Sequence, residues 1–160
     1  MGENSVLQDK VILAVDDEPD VLESVEELLD QSRVVKKTTY EDAAEYLKAD
    51  RPDLAILDIM GVNGFELLKR CVEKKVPAVM LTAHAFSIES LKQSLDLGAR
   101  AYLPKDKMAD MVPFLEDVLT KGHQESWQRL FDRLGGFFNA TFGRDWHKDL
   151  IEIGPFIVPE

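Results

Sequence analysis

Residues 10–32, KVILAVDDEPDVLESVEELLDQS, change hydrophobic period partway along. Residues 10–15 form a continuous apolar run with β-branched members and charge on both sides, which predicts a strand buried on both faces. Over 17–32 the apolar residues fall at Val21, Leu22, Val25, Leu28 and Leu29, the spacing of one helical face. Asp17 and Pro19 stand where an N-cap and an early helical proline belong. A buried strand feeding an amphipathic helix is half of a parallel unit, so the fold depends on whether the pattern repeats.

It repeats four more times. A weaker strand over 33–39 precedes a helix over 40–50 with Ala43, Ala44 and Leu47 inward. Strands over 53–57, 77–83 and 99–103 alternate with helices over 65–75, 87–98 and 107–121. Gly98 is the C-terminal stop of its helix. Met108, Met111, Leu115, Val118 and Leu119 line one side of the last helix, and Pro113 is expected to kink it. Alternating strands and helices over roughly 120 residues imply an α/β fold: a doubly wound (βα)₅ parallel sheet of five strands, covered on both faces.

Composition narrows the function. Apolar residues make up 45% of the 160, enough for a real core, and the net charge is −11. That balance, with no local basic stripe, argues against a nucleic-acid surface. The single cysteine, Cys71, excludes a disulfide framework or a cysteine zinc site and reads as a small buried hydrophobe on a helix. No apolar run approaches membrane-spanning length, and the N-terminus lacks the basic and apolar stretches of a signal peptide, so the cytoplasm is the expected compartment.

In open parallel sheets, ligands bind at the carboxyl ends of the strands. Asp16 and Asp17 follow the first strand, Asp58 ends the third, Thr82 ends the fourth, and Lys105 lies just past the fifth. Alone, Asp16 and Asp17 are as well explained as helix caps, Asp58 as a turn aspartate, Thr82 as a strand end and Lys105 as a solvated charge. Together they form three crowded carboxylates beside a hydroxyl and an ammonium. Crowded carboxylates call for a hard cation, and Mg²⁺ fits best. A carboxylate flanked by such a cation and an ammonium suits phosphoryl acceptance.

The segments ILAVDDEPDVLESVEELL, DLAILDIM, AVMLTAHA and LGARAYLPKD resemble the receiver domains of bacterial two-component response regulators, over about residues 8–121. The resemblance implies the flavodoxin-like strand order 2-1-3-4-5. It also implies that Asp58 is the phosphoacceptor, and that Asp16 and Asp17 form an acidic pair, with Asp17 the more direct Mg²⁺ ligand and Asp16 acting largely through water. Met60 would lend its backbone carbonyl to the metal. Thr82 and Lys105 would contact the phosphoryl group, Tyr102 would be an aromatic switch, and Met60 and His84 would tune hydrolysis. On its residues alone, Tyr102 reads as a half-buried strand aromatic.

Two departures border this site. Gly64 comes six residues after Asp58, about two fewer than usual, with Gly61 near the customary proline. Pro104 precedes Lys105, and Asp106 follows it where the family has proline after a cis bond; without proline a cis bond costs about 3 kcal/mol, which favours trans.

The division implied is a receiver over 1–121 and an extension over 122–160, helical over 124–134, with no recognised output domain. Trp127, Leu130, Phe131 and Leu134 form one helical stripe, which Gly135 and Gly136 are expected to break. Seven of the thirteen aromatics lie after residue 121, unlike a disordered tail. The stripe either folds back on the receiver or receives a partner or a second copy. His123 and His147 are too isolated for a metal site.

The expected function is phosphoryl acceptance on Asp58 from a sensor histidine kinase or phosphotransfer protein, with Mg²⁺. The change would be read by an unidentified output partner or a homodimer at the face of the fourth helix, fifth strand and fifth helix. Self-catalysed phosphorylation and dephosphorylation are expected, but not conventional metabolic catalysis. The alternative is a pseudo-receiver, a protein-interaction scaffold that carries no phosphate. A haloacid-dehalogenase-type phosphatase would want a second aspartate where Met60 stands.

Overall fold

In the computed structural model, which describes residues 5–143 and 145–146, the alternation read from the sequence holds throughout. The order is β1 (Val11–Val15), α1 (Pro19–Leu28), β2 (Arg33–Lys37), α2 (Tyr40–Ala49), β3 (Leu54–Leu57), α3 (Gly64–Glu73), β4 (Ala78–Thr82), α4 (Ile88–Leu97) and β5 (Ala101–Pro104). A 3₁₀ segment, Lys105–Asp110, leads into α5 (Met111–Thr120), and α6 (His123–Phe142) follows. The strands form one parallel sheet in the order β2-β1-β3-β4-β5.

Burial explains the sequence pattern. β3 and β4 are buried at every position and β1 at all but its first, so their apolar runs are continuous. β2 is an edge strand with no fully buried residue, and the charged Arg33, Lys36 and Lys37 are tolerated there. Ile12, Leu13, Leu54, Leu57, Leu67 and Leu68 are among the largest fully buried side chains; each such burial contributes roughly 1.5–3 kcal/mol. Cys71 is buried on α3, as its setting predicts.

Three local expectations change, and the trans bond after Lys105 is as expected. The N-cap of α1 is Glu18, one residue later than Asp17, and Pro19 is its first helical residue. The Lys105–Asp106 bond is trans, no cis bond being found among the described residues. The predicted helix over 107–121 begins as 3₁₀, so Pro113 is the third residue of α5. Its missing N–H is one that no carbonyl of α5 would have accepted, so it costs the helix no bond. Gly135 and Gly136 do not end the last helix, which continues to Phe142. Two adjacent glycines cost about 1 kcal/mol each relative to alanine, so packing must hold the segment beyond them.

That packing is aromatic. Trp127, Leu130, Phe131, Leu134 and Phe138 of α6 are buried, with Trp146 beneath them. Trp127 Nε1 donates to the Ala99 carbonyl (2.8 Å), and the ring of His123 lies 3.1 Å from the same oxygen. Ser126 donates to the Asp117 carbonyl, and Arg129 pairs with the Asp117 carboxylate at 3.0 Å. The stripe therefore folds back over β5, α5 and the α4–β5 turn. His147 lies outside the described residues. Among those described, no helix is long and apolar enough to cross a membrane.

Candidate functional site

Sheet register assembles the site. Val15 pairs with Leu57, so Asp16 and Asp58 leave the sheet side by side, and Asp58 N–H donates to the Val15 carbonyl (2.9 Å). Thr82 pairs with Pro104, which brings Lys105 to the same edge. The Lys105 ammonium lies 2.8 Å from Asp16 Oδ2, 3.3 Å from Glu18 Oε1 and 3.8 Å from Asp58 Oδ2. Asp16 Oδ1 is occupied by the Glu18 N–H (2.9 Å), and Asp58 Oδ1 by the Ile59 N–H (3.0 Å). Each aspartate thus aims its second oxygen towards the lysine.

The two charges respond oppositely. Burial, and after it the nearby Asp16 charge, raise the Asp58 carboxyl to about 6 against the opposing pull of Lys105 and the Ile59 N–H. Burial works against the Lys105 ammonium, but the close approach of the Asp16 carboxylate and the charge of Asp58 outweigh that, so its pKa is raised.

The carboxylate oxygens of Asp16, Asp17 and Glu18 lie within 4.8 Å of one another. Asp16 Oδ2 is buried and accepts no regular hydrogen bond, having only the ionic approach of Lys105. Hard oxygen donors with surplus negative charge suit a divalent cation such as Mg²⁺. Glu18 belongs to this cluster but was not singled out in the sequence; a third consecutive acid was the available signal.

The two glycines after Asp58 have separate tasks. Gly61 has φ +85, and a Cβ there would come within 2.7 Å of Asp17 Cγ, so the bare backbone lets the Asp17 carboxylate lie against the loop. A Cβ on Gly64 would overlap the Asp58 carbonyl oxygen and lie 2.8 Å from Ile59 Cα. Gly64 N–H instead donates to the Ile59 carbonyl (2.9 Å), turning the chain into α3. The shortened loop is closed by this contact. Met60, just before Gly61, is 55% exposed.

Thr82 is buried, and its hydroxyl oxygen accepts the Ala85 N–H at 3.3 Å. Tyr102, expected to be half-buried on residues alone, is fully buried. Its hydroxyl accepts the Ser87 N–H (3.1 Å) and bonds the Ser90 hydroxyl, within a capping box that starts α4. Burial raises the pKa of its phenol, which the Ser90 and Ser87 bonds partly oppose. His84 is exposed on the same loop. Phe86 was missed: it stacks on Tyr102 with centroids 5.5 Å apart and on Phe142 of α6 at 4.9 Å. Helical or strand periodicity cannot flag a loop residue of this kind.

Fold and crevice together define a doubly wound module with an acidic pocket at its carboxyl edge. A family model described as the response regulator receiver domain matches residues 12–115. The chain belongs to this family. It is 35% identical over 101 residues to the response regulator GtcR of Aneurinibacillus migulanus, covering 60% of this chain and 41% of that protein. It is 36% identical over 103 residues to the response regulator Rre1 of Synechocystis, covering 59% of this chain and 44% of that protein. The matches span less than half of these relatives. Among solved structures, a putative response regulator from Chloroflexus aurantiacus superposes with a TM-score of 0.63 at 28% identity, over 71% of this chain and 100% of that one.

Proposed function

We propose that residues 1–121 are a phosphoacceptor receiver, with Asp58 the accepting side chain and residues 122–160 an extension of it. The observation that carries this reading is Lys105, whose ammonium approaches both Asp16 (2.8 Å) and Asp58 (3.8 Å) at the carboxyl edge of the sheet. A carboxylate oxygen of Asp58 attacks the phosphorus of a phosphohistidine in a sensor kinase or phosphotransfer protein. The P–N bond breaks, and the leaving imidazole nitrogen recovers a proton. Lys105 faces the charge gathering on the phosphoryl oxygens, and the Thr82 hydroxyl donates to one of them. Water later attacks the phosphorus, the P–O bond to Asp58 breaks, and the carboxylate is restored.

Asp16, Asp17, Asp58 and the Met60 carbonyl would hold Mg²⁺, with Glu18 near enough to assist. When bound, the ion supplies neutralisation of the acidic cluster and of the phosphoryl oxygens. Exposed Met60 and His84 border the approach to Asp58 and set how readily water reaches it. The phosphorylated state is read through Tyr102 and the α4–β5–α5 face. The cytoplasm, where such kinases act, is the compartment this reading assigns.

Incubation with a small acyl phosphate and Mg²⁺ tests the reading. Wild-type chain should gain one phosphoryl group and Asp58→Asn none. Labelling that survives Asp58→Asn overturns the assignment of the acceptor; absent labelling together with absent saturable Mg²⁺ binding favours the scaffold.

A further inference from the structure

The α4–β5–α5 face is not bare in this chain, because α6 lies on it. The two halves of α6 are held differently. The first half is anchored to fixed backbone, through Trp127 to Ala99 (2.8 Å) and through Ser126 to the Asp117 carbonyl (3.2 Å). The second half, beyond Gly135–Gly136, meets the receiver mainly at Phe86, whose ring Phe137, Phe138 and Phe142 approach at 5.8, 5.9 and 4.9 Å, and at Lys107, 5.2 Å from the Phe137 ring; its other ring contacts, to Phe131 and Trp146, lie within the C-terminal layer itself. Phe86 is not part of a helix or strand. It sits on the loop after β4, one residue past Ala85, whose N–H reaches the Thr82 hydroxyl.

A cleft of about 330 Å³ separates the acceptor site from this half-helix. Thr82, Phe86, Lys105 and Asp106 line one side, and Phe137 and Thr141 the other. The half-helix therefore faces Thr82 and Lys105 across this cleft.

Resting on the proposed acceptor role of Asp58, we infer that the Phe137–Phe142 half of α6 is a latch on the output face, held by Phe86 and released by phosphorylation about a hinge at Gly135–Gly136. When the Thr82 hydroxyl turns to donate to a phosphoryl oxygen on Asp58, it gives up the Ala85 N–H. The loop carrying Phe86 then shifts, and Phe86 loses its stacked position between Tyr102 and Phe142. The glycines weaken the helix where the outer half joins the first, so losing that support undocks it. The first half stays anchored at Ala99 and Asp117. Release bares an aromatic surface for a partner and uncovers part of the α4–β5–α5 face.

Hydrogen exchange of the full chain, with and without an acyl phosphate and Mg²⁺, tests this. Labelling of Asp58 should speed exchange at 137–142 by about tenfold, the scale of one lost stacked aromatic contact, and leave 123–131 unchanged. Phe86→Ala should give the same acceleration without any phosphodonor. Gly136→Ala adds a methyl where nothing lies within 4 Å and should reduce the acceleration in labelled protein. Exchange in β1 and β3 reports whether the variants keep their fold; if Phe86→Ala does not, the wild-type comparison decides. Asp58 labelled with 137–142 unchanged or slower overturns the latch and leaves the acceptor reading standing. No labelling of wild type removes both.

Discussion

Lys105 and Asp16 form an ion pair of 2.8 Å in which both side chains are nearly shielded from water, at 11% and 3% exposure. The same ammonium faces Asp58, the proposed acceptor, so its removal leaves that carboxylate among uncompensated neighbours. Lys105→Ala is expected to slow Asp58 phosphorylation by a small donor on the order of a hundredfold, the usual loss of one preorganised electrostatic group. Initial rates of phosphoryl incorporation, measured at saturating Mg²⁺, provide the check.

Asp58 is a liability to the metal-free fold. Its folded pKa, about 6, lies above the unfolded value of 3.8, so the folded state holds the proton more tightly. Stability from this group is fully present below the unfolded value and is lost as pH rises through the folded one. In chelator at pH 7, Asp58→Asn should therefore stabilise the protein by on the order of 2 kcal/mol. Denaturant unfolding at pH 7 and pH 4 should show the gain shrinking at the lower pH.

Gly61 and Gly64 differ in what a methyl would strike. Gly61→Ala meets the Asp17 carboxylate and a positive φ, and should weaken Mg²⁺ binding at least about tenfold with a loss of roughly 1–2 kcal/mol in stability. Gly64→Ala meets the backbone of Asp58 and Ile59, which cannot rotate away, and should cost more stability than Gly61→Ala. Mg²⁺ titration and thermal melts of both variants separate the two effects.

Burial raises the Cys71 thiol to about 12, from an ordinary value near 9.0, despite the opposing charge of Lys74. The folded protein keeps its thiol proton where the unfolded chain releases it, so this group's contribution falls as pH rises through and above 9. Native protein at pH 8 should resist aromatic disulfide reagents and react only as fast as it unfolds. Rapid stoichiometric labelling without denaturant would contradict the burial.

Trp127→Phe keeps an aromatic ring but removes the donor to Ala99. The loss should be about 1 kcal/mol, with the carbonyl left to His123. Chemical denaturation of the variant checks it.

The strands were legible because both faces of the sheet are covered, which leaves β1, β3 and β4 apolar throughout. The strand-end residues were legible for a related reason: in a parallel sheet, the position after each apolar run falls on one edge, as Asp16 and Asp58 do. Glu18 was harder to see, because its place beside Lys105 depends on the α1 cap lying one residue later than Asp17. Phe86 and the continuation of α6 through Gly135–Gly136 could not be read from spacing. Both arise from aromatic packing between segments remote in sequence, and that packing overrides the local weakness of two glycines.

The chain's two tryptophans, Trp127 and Trp146, both lie in the layer around α6, and the sheet below it has none. Indole emission therefore comes from the C-terminal layer alone. The molecule carries an optical reporter on the layer that covers the α4–β5–α5 face, and phosphodonors or partners can be screened by light without attaching a dye.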